Sequence, residues 1–211
     1  MKKLLLLLLP ILSFASYQAT ISPITPAIKK RMIEGGSYKS YCPISLSDLR
    51  YIKLKYIGFD NKEHTGELIV NKSIAKDIVS IFKKLYEARY PIKQMRLVSD
   101  FGASDFASIE ADNTSAFNCR YVDGTHKWSN HTFGKAIDIN PIENPYVSRS
   151  GHTSHKKSYQ FVKRVRKNSS AAYKALILKN DYITKLFKAH GFRWGGDWRC
   201  CKDYQHFDKK K

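Results

Sequence analysis

Two distant segments of this chain carry residue types that together can bind a metal ion. One contains His131 and Asp138, and the other begins with Asp203 and ends with His206. Neutral imidazole and ionised carboxylate bind zinc at about 2.0 to 2.2 Å, and a catalytic zinc keeps its fourth position for water. We therefore predict that His131, Asp138 and His206 hold one zinc ion. The spare carboxylate of Asp203 is the predicted general base.

Local geometry limits how these residues can be placed. On a strand, Ile137 and Ile139 face one side and Asp138 the other, so the isoleucines would enter the core while the carboxylate faces a cleft. Gly134 would let the chain bend before that strand. Positions three apart on a regular strand face opposite sides. We therefore expect Asp203 to lie in a turn before the strand that carries the second histidine.

The remaining histidines show no comparable pattern. None has a carboxylate at a spacing that strongly suggests shared coordination, and we interpret them as surface or capping residues. They are His64, His126, His152, His155 and His190.

Apolar patterns predict the elements that must support this site. Two β-rich runs, residues 51–59 and 67–70, predict a hairpin. Apolar residues at helical spacing over 74–85 predict an amphipathic helix that ends before Pro91. Further predicted elements are a strand near 95–98, a short helix near 106–109, a long polar loop over 141–170, a helix from Asp181 to Gly191 and a closing strand over 204–207. This order predicts an α+β fold, a small antiparallel sheet covered by helices.

The amino terminus has the pattern of a secretory signal peptide. Residues 1–15 begin with two lysines, continue with an apolar run broken only by Pro10, and end in small residues. That run is shorter than the ~20 residues of a membrane-spanning helix, and no later segment is apolar enough to span a bilayer. We expect residues 16–40 to be a linker and residues 41–208 to form one exported, soluble and monomeric domain.

The cysteines can form disulfides if the protein is exported, since the cell exterior is oxidising. Cys200 and Cys201 are adjacent and rarely bond each other because the geometry is strained. A bridge from Cys119 to one of them would tie the two site-bearing segments together, and Cys42 is the fourth cysteine. Free buried thiols are the alternative.

The formal net charge is +19. A field of that sign favours anionic partners. Because we expect an exported protein, we exclude nucleic acid and predict acidic lipid or the carboxylates of cell-wall peptides as partners, with no stable membrane insertion. A merely repulsive, solvated surface explains the charge equally well.

The motifs closely resemble the zinc D-alanyl-D-alanine carboxypeptidase and L-alanyl-D-glutamate endopeptidase family, which includes vancomycin-resistance D,D-peptidases and phage endolysins and shares the hedgehog fold. The resemblance covers roughly residues 90 to 208. It rests on Ser129-x-His131-x-x-Gly134-x-Ala136-x-Asp138, on Gly191-Phe192-x-Trp194-Gly195-Gly196-x-Trp198 and on Asp203-x-x-His206-Phe207.

The resemblance implies a zinc metallopeptidase that cuts peptidoglycan stem peptides in the periplasm or cell envelope. It makes His131, Asp138 and His206 the zinc ligands and Asp203 the acid/base. It also implies that Arg120 stabilises the transition state and that Ser129 donates a hydrogen bond near the metal or contacts the substrate.

Two departures from the family pattern affect the interpretation. Asp203 stands where some members carry Glu, and the basic loop over 147–168 has no assigned counterpart. One rival hypothesis is a metal-holding wall-binding module without turnover. Another is a basic polyanion-binding protein with incidental histidines, which leaves the paired motifs unexplained.

Overall fold

A computed structural model describes residues 16–210 of the chain. The predicted signal peptide, residues 1–15, lies outside the described residues. Among the described residues, no helix has both the length and the apolar character needed to cross a membrane.

Short strands and helices alternate along the described part of the chain. The strands are β1 (Ala19–Pro23), β2 (Leu49–Gly58), β3 (Glu63–Asn71), β4 (Pro91–Ile92), β5 (Gln94–Met95), β6 (Asn113–Thr114), β7 (Ala136–Asp138), β8 (Tyr146–Val147), β9 (Arg193–Trp194), β10 (Lys202–Asp203) and β11 (His206–Asp208). The α-helices are α1 (Pro26–Glu34), α2 (Ala75–Glu87), α3 (Asp105–Glu110), α4 (Ala171–Lys174) and α5 (Tyr182–Ala189). The α+β class is confirmed.

The predicted hairpin is the centre of the larger sheet. Strands β2 and β3 pair antiparallel from Leu49↔Asn71 to Ile57↔Glu63, and β1 pairs antiparallel with the other side of β2. Asn61 takes a left-handed backbone with φ of 62° in the connecting turn, which Asn tolerates better than most residues. The short β4 extends the sheet in parallel with β2.

The predicted amphipathic helix covers this sheet as α2. Its apolar side chains recur every three or four residues and are almost fully buried, because they pack against the sheet and against α5. Those residues are Ile78, Ile81, Phe82 and Leu85. The predicted helix that begins after Asp181 and stops at Gly191 is α5, and Gly191 has a φ of 79°.

A second, smaller sheet carries part of the candidate site. Strand β11 lies between β7 and β9 and is antiparallel to both. Phe207 pairs with Ile137, and both side chains are fully buried in the core shared with α2 and α5. The next pair in this register is His206 opposite Asp138. Burial of the apolar pair therefore determines that these two polar residues face each other.

The predicted linker over residues 16–40 is wrong. This segment contains β1 and α1, and Met32 is fully buried. The prolines that suggested a linker end β1 and begin α1, where a missing backbone N–H costs nothing. The guanidinium of Arg31 joins α1 to the sheet through two hydrogen bonds to Glu67, and it also binds Asp100.

The cysteine prediction also needs correction. Cys119 forms a disulfide with Cys42, not with Cys200 or Cys201. The backbone N–H of Cys119 donates to the carbonyl of Ser37 at 2.9 Å, so this segment runs beside the residues that follow α1. The disulfide thus closes a second apolar cluster beneath the sheet.

The long loop predicted over 141–170 is tied firmly to the core. The buried guanidinium of Arg164 donates to the carbonyl oxygens of Glu143 and Ile177 and to the side chain of Asn144. The loop also contains β8 and a 3₁₀ turn, Lys156–Phe161. Part of its positive charge therefore stabilises the fold.

The other short strands differ from the predictions. The strand predicted near 95–98 is only β5, and a 3₁₀ turn over Val98–Phe101 follows it. The closing strand predicted over 204–207 is β11, His206–Asp208; residues 204–205 form a bend that separates it from β10. The predicted short helix near 106–109 is confirmed as α3.

Two buried carboxyl groups face each other, one from Glu143 in the loop over 141–170 and one from Asp112. Burial and the neighbouring acid Asp112 raise the pKa of Glu143 to about 10, and burial raises the pKa of Asp112. In the unfolded chain a glutamate loses its proton above about pH 4.3. Between that pH and about 10 the folded state binds the extra proton. This contribution to stability is therefore greatest at low pH and is lost as pH rises through that interval.

Replacing Glu143 with Gln removes this titration and keeps the shape of the side chain. We expect the melting temperature of the variant to decline less than that of the wild type between about pH 5 and about pH 9, by several degrees, in thermal unfolding monitored by circular dichroism. The exposed Glu87 serves as control, and Glu87→Gln should keep the wild-type slope. Equal slopes in wild type and Glu143→Gln would contradict the shared-proton assignment.

Candidate metal centre

The structure brings the three predicted ligands together. His131 lies in a 3₁₀ turn, Asn130–Phe133, while Asp138 ends β7 and His206 begins β11. The Nε2 atom of His131 lies 3.2 Å from Nδ1 of His206 and 3.2 Å from Oδ2 of Asp138. The Nδ1 atom of His206 lies 2.9 Å from Oδ1 of Asp138. Among the described residues, these three form the group of histidine, cysteine or acidic side chains whose spacing could hold a metal ion.

Local hydrogen bonds orient His131. The side chain of Ser129 caps the 3₁₀ turn and accepts from the backbone N–H of His131 at 3.3 Å. The Nδ1 atom of His131 bonds to the carbonyl of Ala116, so it carries the proton and leaves the Nε2 lone pair for the site. The Ser129 hydroxyl is thus an acceptor that positions the turn, and its predicted role as a donor near the metal or as a substrate contact stays a prediction.

Gly134 ends the same turn, as the sequence predicts. Its φ is 62°, a left-handed conformation that glycine adopts without strain. A Cβ atom at this position would lie 2.6 Å from the backbone nitrogen of Asn71. Close packing against the sheet and the bend between His131 and Asp138 therefore both require glycine.

A further carboxylate lies behind His206. The Oδ2 atom of Asp208 is 3.8 Å from Nε2 of His206, and Arg193 and Asn130 hold Asp208 in place. A carboxylate on the outer nitrogen fixes the tautomer of a metal-binding imidazole and makes it a stronger donor. Sequence reasoning missed Asp208, although its position two residues after His206 on one strand puts both on the same face.

The charges of the group favour a cation. Burial opposes ionisation of Asp138, but the two imidazoles outweigh it and hold its pKa well below the usual range. Burial also opposes a charge on His206, yet the carboxylates of Asp138 and Asp208 raise its pKa to about 10. Two buried carboxylates therefore create a negative potential at the point where the imidazoles converge.

The donor atoms fit a small divalent ion. Tetrahedral coordination with bonds of about 2.0 to 2.2 Å separates neighbouring ligand atoms by about 3.3 to 3.6 Å. The observed separations of 2.9 to 3.2 Å are close to this and would need only a small outward shift. Three protein donors beside a cleft are the arrangement of metal-dependent hydrolases, in which a fourth position stays open.

The cleft beside the group has a volume of about 700 Å³. All three donors line it, and so does Asp203. The indole ring of Trp198 stands against the ring of His206, with 5.4 Å between centroids. The cleft also includes His155, a residue that sequence reasoning took for a surface or capping histidine. It is buried and bonds to Glu110 through Nδ1 at 3.0 Å.

Asp203 lies in the two-residue strand β10, opposite Tyr146 of β8, and not in the turn expected from the sequence. The bend at residues 204–205 separates it from β11, so it does not share one regular strand with His206. Its Oδ1 atom is buried and has no hydrogen-bond partner among the described residues. Burial, with a contribution from the charge of Asp138, raises the pKa of Asp203 to about 6. A carboxyl group with that pKa can accept and release a proton near neutral pH.

Arg120 also lines the cleft, but it does not join the metal group. Its guanidinium forms an ion pair with Asp105 and donates from Nη1 to the carbonyl of Tyr121 at 3.0 Å. The backbone N–H of Arg120 donates to the side chain of Thr132, in the turn that carries His131. Arg120 is therefore connected to the metal group through the backbone.

Comparison with known families agrees with this geometry. The family model described as D-alanyl-D-alanine carboxypeptidase matches residues 123–209. This segment contains the three donors and Asp203, whereas Arg120 and the larger sheet precede it. The match supports the family predicted from the motifs, and it covers residues 123–209. In general terms the match supports a metallopeptidase that acts on peptidoglycan.

No curated protein and no solved structure matches the chain. The ligand roles of the individual residues therefore stay predictions that rest on the geometry.

Metal binding should stabilise the fold through these donors. At a free Zn²⁺ concentration of ~100 times Kd, binding adds about 2.7 kcal/mol, since the unfolded chain does not assemble the site. For a domain of this size we expect the melting temperature to rise by roughly 5 to 10 °C. His206→Ala should lose the rise, and the control His64→Ala should retain it, because His64 lies on the surface next to Asp60. An equal rise in His206→Ala would exclude His206 as a ligand.

Proposed function

We propose that this protein is a zinc metallopeptidase that hydrolyses a peptide bond in the stem peptides of peptidoglycan. The observation that carries the proposal is the convergence of His131, Asp138 and His206, whose donor atoms all lie within 4.8 Å of one another. The family match over the segment that contains these residues supports the peptidase class. We retain zinc as the proposed metal because two imidazoles and one carboxylate suit it.

The three donors would hold the ion, with Asp208 behind one of them. When bound, zinc supplies a Lewis acid that lowers the pKa of coordinated water to near 7. Asp138 balances part of the positive charge, and Ser129 keeps the turn of His131 in place. The residues of the chain thus determine where water is activated.

Asp203 would move the proton. Its carboxylate lines the same cleft as the donors, and its buried Oδ1 has no other partner among the described residues. It can accept a proton from the attacking water and deliver it to the departing amine. A pKa of about 6 suits both halves of this transfer.

Arg120 would bind an anionic part of the substrate. A guanidinium grips a carboxylate through two parallel hydrogen bonds and can also stabilise an oxyanion. In the structure this fork is engaged by Asp105. We propose that the substrate carboxylate or the developing oxyanion competes for the same guanidinium on binding.

The cellular setting is part of the proposal. The charged and apolar pattern of residues 1–15 supports export to the periplasm or cell envelope, where peptidoglycan lies. The net charge of +19 suits the acidic groups of cell-wall peptides. We propose a monomer that neither binds nucleic acid nor inserts stably into a membrane.

The direct test is to incubate the purified, zinc-loaded protein with defined muropeptides and to identify the products by mass spectrometry. Loss of one alanine from a pentapeptide stem identifies carboxypeptidase activity. Release of the stem from L-alanine, or opening of a cross-link, identifies an endopeptidase. Intact muropeptides after prolonged incubation with metal-loaded protein would contradict the proposal and favour a binding module of the same fold.

Asp203→Asn separates proton transfer from metal binding. We expect the variant to keep its bound zinc and to lose about 10²- to 10⁴-fold in kcat, because only the proton acceptor is removed. Zinc content is measured by plasma emission spectroscopy and kcat on the muropeptide that the wild type cleaves. Asp197→Asn is the matched control, since Asp197 lies on the surface in an ion pair with Lys188. Unchanged turnover in Asp203→Asn would reject the role of Asp203.

A further inference from the structure

Cys200 and Cys201 are neighbouring free thiols in the segment between Trp198 and Asp203, two residues that line the candidate site. Cys200 is exposed and Cys201 is partly exposed, and their Sγ atoms lie 3.1 Å apart. The other two cysteines form the disulfide Cys42–Cys119, in which Cys119 is fully buried. Reagents in solution therefore reach the first pair as free thiols, whereas Cys42 and Cys119 are already bonded to each other.

Burial and the neighbouring Cys200 thiol raise the pKa of Cys201, which is the less exposed of the two. Arg199 precedes the two cysteines and Lys202 follows them. The thiolate form of a cysteine is the nucleophile in thiol–disulfide exchange. The hydroxyl of Tyr146 also forms a hydrogen bond with Cys201. The more exposed Cys200 is the thiol that an external disulfide meets first.

The pair is coupled to Asp203 in two ways. Cys201 lies two residues before Asp203, with only Lys202 of β10 between them. Tyr146, whose hydroxyl contacts Cys201, is also the residue paired with Asp203 across β8 and β10. A change at the thiols therefore reaches Asp203 along the chain and across the sheet.

Asp203 has little room to absorb such a change. A Cβ atom at Gly195 would lie 2.5 Å from the carbonyl oxygen of Asp203, so the two backbones are in close contact. Movement of the residues before Asp203 would disturb this contact, and with it the direction of the Asp203 carboxylate.

We propose that Cys200 and Cys201 are a thiol modification site, at which small-molecule disulfides oxidise the pair to an internal disulfide that displaces Asp203. The structure corresponds to the reduced state, in which Asp203 lines the cleft with the metal donors.

The chemistry consists of two exchange steps. The Cys200 thiolate attacks one sulfur of the external disulfide, whose S–S bond breaks, and the first half leaves as a thiol after taking up a proton. The Cys201 thiolate then attacks the Sγ atom of Cys200 and releases the second half, also as a thiol. The protein loses two electrons and two protons, and the external disulfide gains both.

The internal bond should be readily reversible. Neighbouring Cα atoms lie about 3.8 Å apart across a trans peptide, whereas a relaxed disulfide joins Cα atoms about 4.4 to 6.8 Å apart. A disulfide between adjacent residues is therefore strained and easily reduced, as labile and regulatory disulfides are. This bond should therefore be reduced more easily than a permanent structural disulfide.

The consequence for turnover rests on the proposed function. If Asp203 moves the proton, its displacement lowers kcat, whereas KM and bound zinc stay nearly unchanged. We expect kcat to fall about tenfold or more, within the ~10²- to 10⁴-fold that a general base contributes.

The test begins with the full-length mature chain treated with oxidised glutathione at neutral pH. Intact mass should show the loss of two hydrogen atoms, with both free thiols lost to alkylation and restored by dithiothreitol. Hydrogen exchange of peptides that cover residues 195–206 should change on oxidation, whereas peptides from α2 should not. The matched control Cys200→Ser/Cys201→Ser should keep the basal activity and show no response to the oxidant.

Three outcomes would overturn the proposal. They are a glutathione adduct that persists without ring closure, a dimer linked through these thiols, and an internal disulfide that alters neither hydrogen exchange nor kcat. If no muropeptide is cleaved in any state, the proposed function fails, and mass and hydrogen exchange still decide whether this site is oxidised and coupled to Asp203.

Discussion

The pairing of β7 with β11 is the constraint on which the candidate site depends. Ile137 and Phe207 pair across these strands and are fully buried, and this places His206 opposite Asp138. Side chains alternate between the faces of a strand, so a shift of one residue would turn the apolar pair out of the core and separate the donors. The hydrophobic effect in the core thus provides the energy that holds two polar groups together.

The third donor is positioned by a turn and not by the pairing of strands. His131 belongs to a 3₁₀ turn whose position is set by Ser129 at one end and Gly134 at the other. The site therefore combines a rigid sheet register with a closely packed turn. Such a site is largely formed before a ligand binds, and little ordering cost remains for binding.

The electrostatics of the candidate site explain why its buried charged groups favour a bound substrate, water or ion. Buried polar groups and charges are costly unless they are paired. The donors satisfy one another in the structure, with Asp208 supporting His206. The buried Oδ1 of Asp203 has no partner among the described residues, and its pKa is raised to about 6. Unsatisfied groups of this kind are concentrated at functional sites, where a substrate or water completes the hydrogen bonds.

Sequence reasoning succeeded where a local pattern determines the structure. The periodicity of α2 and the hairpin of β2 and β3 depend on neighbouring residues. The bounds of α2 and β2 were predicted closely, whereas the predicted run 67–70 covers only the second half of β3. The three donors were found because their residue types and motif spacing are unusual. In each case a short stretch of sequence contains enough information.

The errors concern contacts between distant segments. The partner of Cys119 depends on the path of the chain after α1, and no local pattern encodes that path. The prolines near β1 and α1 were interpreted as linker signals, although they begin and end regular elements. Burial of Arg164 and the role of Asp208 appear only when the fold places their acceptors beside them.

The central claim is that two imidazoles and one aspartate bind a single zinc ion. Crystals grown with zinc and measured on both sides of the zinc absorption edge test it most directly. We predict one anomalous peak in this part of the chain, about 2.0 to 2.2 Å from Nε2 of His131, an oxygen of Asp138 and Nδ1 of His206. A zinc-loaded crystal whose anomalous peak lies away from these three atoms would contradict the account.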